Sequence, residues 1–129
     1  MEYQATAKYI RTGVRKMRLI ADLVRGLSPD DALIQLAHMS RFAAAPMEKV
    51  LRAAIVNAQS KQTKRVPLQI KNIEVMGGPV MKRWHAASRG QAHPYKKRMT
   101  HIRIKLTDEK EEKIKNPTNN QINKYGSKN

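Results

Sequence analysis

The stretch VMKRWHAASRGQAHPYKKRMTHIRIKL, residues 80–106, decides how this chain folds. Its last third alternates, with Ile102, Ile104 and Leu106 on one side and His101, Arg103 and Lys105 on the other. Successive side chains of a strand point to opposite faces, so this is a strand with one face in a core. The earlier part has almost nothing to bury. It carries Lys82, Arg83, Arg89, Lys96, Lys97 and Arg98, and no acid lies between Glu74 and Asp108. At its centre, Ser88-Arg89-Gly90-Gln91 is turn-like. The reading is a long basic β-hairpin over about 79–106, whose arms of about ten residues span on the order of 30 Å. A two-stranded arm without a core is marginal in water, so its environment must come from elsewhere. Gly90 allows a positive φ or a close backbone approach at the tip, and Ala86, Ala87, Ser88 and Ala92 keep that tip slim.

Moving outward, Leu68 and Ile70 are followed by Ile73 and Val75 after a slip at Lys71-Asn72, which predicts a bulged strand. Gly77-Gly78-Pro79 is expected to break it. Residues 2–10 alternate, placing Tyr3, Ala5, Ala7 and Tyr9 on one side of a short strand. Val14, Met17, Ala21 and Val24, with Ile20 beside them, have helical spacing that ends at Gly26, where a left-handed cap residue is wanted. The other face of that helix holds Arg11, Arg15, Lys16, Arg18 and Arg25 with one acid, Asp22. It reads either as a solvated face or as a phosphate-binding one. Ser28-Pro29-Asp30-Asp31 is a helix start, with a Ser cap, Pro at the first position and acids in the first turn. Ala32, Leu33, Leu36 and Ala37 follow as its apolar face. Met47, Val50, Leu51, Ala54, Ile55 and Ala58 mark a third helix whose regular part begins close to Pro46, with Ser40 as the alternative cap of an earlier, bent turn, and which ends near Ser60. Residues 61–67 read as a loop. Beyond Asp108 the chain turns to mixed charge and then to Asn and Lys, so 109–129 reads as a polar C-terminal tail, flexible unless bound.

The chain has 129 residues, enough for one domain plus an appendage. Twenty-six Lys and Arg face ten Asp and Glu, a formal +16. Such a surface repels itself and favours a polyanion, because each neutralised phosphate releases condensed counterions. A membrane is the weaker candidate, since no run of 18 or more apolar residues exists. No signal peptide is visible, and the absence of cysteine excludes disulfides and cysteine-based zinc sites. The expected location is cytoplasmic, without membrane association.

Catalysis finds little support. His38, His85, His93 and His101 are scattered, and the three in the basic region have no nearby carboxylate to orient them. No ligand cluster suggests a metal, no cofactor is implied, and the chain reads as a non-enzyme. For RNA the pieces agree: Arg and Lys for phosphates, with Trp84 and Tyr95 interleaved among them. The two rings are either a cross-strand pair or stacking surfaces for unpaired bases. A free architectural protein that clasps duplex DNA, and a small enzyme acting on RNA, stand as alternatives.

Three motifs carry a family resemblance. They are Lys16-Met17-Arg18-Leu19-Ile20-Ala21-Asp22-Leu23-Val24-Arg25-Gly26, then Lys49-Val50-Leu51-Arg52-Ala53-Ala54-Ile55-Val56-Asn57-Ala58, then Gly78-Pro79-Val80-Met81-Lys82-Arg83 with Ser88-Arg89-Gly90-Gln91 and His101-Ile102-Arg103-Ile104. In this order and spacing they resemble the universal large-subunit ribosomal protein number twenty-two family, from about Ala5 to Asp108. The resemblance implies an α+β fold, three helices on a small antiparallel sheet, with 1–108 as one domain that includes the projecting hairpin. It implies a structural role in the large subunit and binding of 23S ribosomal RNA. The basic side chains read as its ligands are Arg11, Arg15, Lys16, Arg18, Arg25, Lys82, Arg83, Arg89, Lys96, Lys97, Arg98, Arg103 and Lys105. It further implies that the tip lines the nascent-peptide exit tunnel near its constriction, beside ribosomal protein number four and the nascent polypeptide. The tip residues would be Arg83, Trp84, His85, Ser88, Arg89, Gly90, Gln91 and His93, close to where macrolides bind in the family. Ala87 departs from the pattern, which expects Arg or His there.

Overall fold

The computed structural model describes residues 1–61 and 67–108. Most of the expected 61–67 loop and all of the expected 109–129 tail lie outside the described residues. The elements run β1 (Glu2–Ile10), α1 (Val14–Val24), α2 (Pro29–His38), α3 (Ala44–Lys61), β2 (Gln69–Ala86), a short helical turn (Ser88–Gly90) and β3 (Ala92–Thr107). The strands form one antiparallel sheet in the order β1-β3-β2. Three helices and this sheet make the α+β architecture that the sequence predicts.

β3 is central because its sequence suits that place. Ile102, Ile104 and Leu106 are fully buried, while His101, Arg103 and Lys105 stay half-exposed on the other face. The inner face meets Tyr3 of β1 and Ile73 of β2, and the helices cover it with Met17, Ile20, Leu36, Met47 and Leu51. Each such aliphatic side chain, taken wholly from water, contributes about 1.5–3 kcal/mol. With few aromatics in the core, packing rests on many medium-sized side chains.

Helix boundaries follow local chemistry. α1 stops at Gly26, which takes φ +87, a conformation cheap only for glycine. At the start of α2, the Asp31 amide donates to the Ser28 hydroxyl oxygen at 3.2 Å, and Pro29 occupies the first helical position. α3 starts at Ala44, two residues before the expected site. Pro46 is tolerated there because first-turn amides have no intrahelical acceptor anyway.

Three details differ from expectation. Gly77-Gly78-Pro79 does not break β2. Gly77 pairs with Thr100 and Val80 with Arg98, so two residues face one and the strand continues past a bulge. Gly78 is needed because a Cβ there would lie 3.1 Å from the Met99 carbonyl carbon and 3.2 Å from His101 Cε1. Tyr9 does not continue the inward side of β1. It takes φ +60, its amide donates to His101 Nδ1 at 2.9 Å, and the rings meet edge to face at 4.9 Å. The pairing register shifts between Ala7 and Ile10, and Ile10 packs against the core instead. Ala37 is exposed, because the buried stripe of α2 runs through Pro29, Ala32 and Leu36. The slip at Lys71, in contrast, is where the sequence puts it, between Ile70 and Asn72.

Candidate nucleic-acid interface

The starts of α1 and α2 have opposite chemistry. α2 has a side-chain cap and acids Asp30 and Asp31 in its first turn, which complement the positive end of the helix dipole. α1 begins at Gly13 with no side-chain cap and no acid in its first turn, and Arg15 and Lys16 stand there instead. Unfilled amides and two cations at a helix start suit an external anion.

That start forms one wall of an open groove of about 1360 Å³. Arg11 to Lys16, Arg18, Leu19 and Asp22 line one side, Arg41 to Ala43 another, and Lys96, Lys97 and Arg98 of β3 the third. Seven of the thirteen sequence-predicted phosphate ligands meet here: Arg11, Arg15, Lys16, Arg18, Lys96, Lys97 and Arg98. Arg41 makes an eighth cation against the single acid Asp22. Among the described residues, no carboxylate lies within ion-pair distance of any of the eight. The groove is held by main-chain bonds. The Thr12 amide donates to the Ile10 carbonyl at 2.8 Å, and the Ala44 amide to the Arg41 carbonyl at 2.9 Å.

Arg41 and Phe42 were not legible as site residues. They lie outside every periodic stripe, in the turn before α3. The available signal was the chain's only phenylalanine, set between Arg41 and the three alanines that precede Pro46.

Beyond Thr100, β2 and β3 pair only with each other, and from Val80 to Arg98 no residue is buried. The pairing begins at Gln69 and Thr107, earlier than the expected 79–106. Lys82 stands directly opposite Lys96, and like charges in that relation are destabilising without a counterion. Trp84 and Tyr95 are not a cross-strand pair. Trp84 faces Pro94 and is 69% exposed, while Tyr95 faces Arg83 on the other side and lies 4.8 Å from the His85 ring. At the tip, the Ala87 amide donates to the Gln91 carbonyl at 2.8 Å, and both Arg89 (φ +58) and Gly90 (φ +69) are left-handed. A non-glycine residue in that region costs about 1–3 kcal/mol. The tip therefore displays Arg89 at a conformational expense.

The remaining predicted ligands sit elsewhere. Arg103 and Lys105 each lie 3.3 Å from Glu74 on the outer sheet face. Arg25, at the far end of α1, lies 3.6 Å from Asp22, and its guanidinium donates to the Ile73 carbonyl at 3.4 Å. Among the described residues, no group of three or more His, Cys, Asp or Glu is placed to hold a metal, and no helix is long and apolar enough to cross a membrane.

Comparison with known proteins identifies the family. The family described as ribosomal protein L22p/L17e matches residues 5–107. The large ribosomal subunit protein uL22 of Syntrophus aciditrophicus is 45% identical over 111 residues, covering 85% of this chain and 100% of the relative. That of Halothermothrix orenii is 41% identical over 112 residues, covering 86% and 99%. That of Pediococcus pentosaceus is 38% identical over 109 residues, covering 84% and 92%. A match across nearly the whole folded chain, with relatives covered almost end to end, means that the protein belongs to the ribosomal protein L22p/L17e family, whose members are structural proteins and not enzymes.

Proposed function

We propose that this chain is a structural constituent of the large ribosomal subunit in the cytoplasm, and that it binds 23S ribosomal RNA through the groove and the outer hairpin. The observation that carries the reading is the groove itself: eight cations with no carboxylate partners among the described residues, around an uncapped helix start. Phosphates fill that deficit, since each neutralised one releases condensed counterions and accepts charge-assisted hydrogen bonds. Lys82, Arg83 and Arg89 extend the cationic path along the hairpin. Arg25, Arg103 and Lys105 contribute less, because acids of the chain already oppose them.

The tip residues Arg83, Trp84, His85, Ser88, Arg89, Gly90, Gln91 and His93 are proposed to line the nascent-peptide exit tunnel. There they would meet the nascent polypeptide and ribosomal protein number four. Their exposure and the small side chains around them support this, since a slender unburied tip can enter a crowded RNA wall. Ala87 removes one cation expected at that wall. Deleting residues 85–93 should therefore spare incorporation into the subunit while altering the macrolide response.

Salt titration of binding to a large-subunit RNA fragment tests the RNA reading. Affinity should fall steeply with salt, and R15A with K16A together should lower the slope of log K against log salt by about two. R103A should change it much less. A slope unaffected by the groove pair would reject the groove as the RNA surface.

A further inference from the structure

The groove is cationic at its rim but apolar within. Phe42 is 75% exposed and Leu19 52%, and both line it. Single exposed apolar side chains are ordinary on a protein surface, but here two of them line one cationic groove, and Phe42 is held in position. The Ala44 amide donates to the Arg41 carbonyl at 2.9 Å, closing a turn around Phe42, while Ala43 and Ala44 behind it are 5% and 1% exposed. The ring is thus presented on a fixed backbone. Phosphate contacts alone would need none of this apolar surface. A nucleotide whose base has left its helix needs both parts: a π-face for the base, and cations for the phosphates on either side.

Resting on the RNA-binding reading, we propose that Phe42 and Leu19 form the seat of one unpaired RNA base, with Arg15, Lys16, Lys97 and Arg98 holding the flanking phosphates. The groove then discriminates RNA by shape: it takes a bulged or looped-out nucleotide and disfavours uninterrupted duplex. An aromatic face accepts any base, so the selectivity is for an unstacked nucleotide, not for a sequence.

The test uses the full-length protein and two RNA hairpins that differ only in one bulged fluorescent purine. The protein should bind the bulged RNA more tightly and quench the purine. F42A should weaken that binding about tenfold and abolish the quench, with a distinctly smaller loss on the uninterrupted hairpin. F42L keeps apolar area without a ring and should behave like F42A. F42W should restore both affinity and quench. Equal loss on both RNAs, F42L equal to the parent protein, or no quench in the parent would each overturn the stacking seat while salt-dependent RNA binding persists. Failure of the parent protein to bind either RNA in low salt would overturn the RNA reading as well. Thermal unfolding of each variant confirms that the exposed position leaves the fold intact.

Discussion

The hydroxyl of Thr100 donates to the main-chain carbonyl of Thr12 across 2.5 Å, and both residues are buried. This bond joins the segment that leads into α1 to the point on β3 where the hairpin leaves the core. Two walls of the groove are thereby locked together. T100V should remove the donor, strand the carbonyl and lower stability by about 1–3 kcal/mol. T12V should be neutral or slightly stabilising, because the buried Thr12 hydroxyl has no hydrogen-bond partner among the described residues. Thermal unfolding of both variants checks the pair, and equal melting temperatures for T100V and the parent would show that the bond contributes nothing.

Gly77 and Gly78 are adjacent and not equivalent. A methyl at Gly77 meets only Val14 Cγ2, at 3.9 Å, whereas one at Gly78 meets the Met99 main chain at 3.1 Å. G78A should cost about 1–3 kcal/mol through overpacking, and G77A should be close to neutral. Denaturant unfolding of the two variants reads the difference. A tolerated G78A would mean that the bulge opens at little cost.

Lys82 opposite Lys96 opposes hairpin pairing until an anion lies between or beside them. K82E should slow amide exchange across the outer hairpin in the free protein and at the same time weaken RNA binding. Those opposite signs distinguish a binding device from ordinary surface charge. A variant that gained both order and RNA affinity would refute the account.

The Glu2 carboxylate accepts a hydrogen bond from Lys71 Nζ at 2.6 Å, and this bond holds the Glu2 pKa below its ordinary value. A carboxylate with a lowered folded-state pKa adds stability above its ordinary pKa, and that contribution is lost as pH falls through the lowered value. The β1 edge should therefore loosen in acid, seen as lower amide protection factors at residues 2–4 once the intrinsic pH dependence of exchange is divided out. E2Q should remove that part of the pH dependence. The effect is small because the pair is in solvent.

The helices, their caps, the alternation of β3 and the bulge at Lys71 were legible because each depends on residues close in sequence: Ser28 with Asp31, Gly26 after Val24, Ile102 with Ile104. The cationic excess and its concentration in the hairpin were equally open to reading. Where local logic failed, a distant residue had intervened. His101 captures the Tyr9 amide and turns that ring outward, and the Met99 backbone lets Gly77-Gly78-Pro79 be absorbed as a bulge. Strand register, not ring type, put Trp84 and Tyr95 on opposite faces.

By itself, then, the sequence determined the elements and the sign of the surface, since charge and periodicity are properties of composition and spacing. Only the tertiary structure decided which cations act together. Arg11 to Arg18, Arg41 and Lys96 to Arg98 come from three separated segments, and Glu74 takes Arg103 and Lys105 out of play, because pairing and burial follow from distances that folding alone creates.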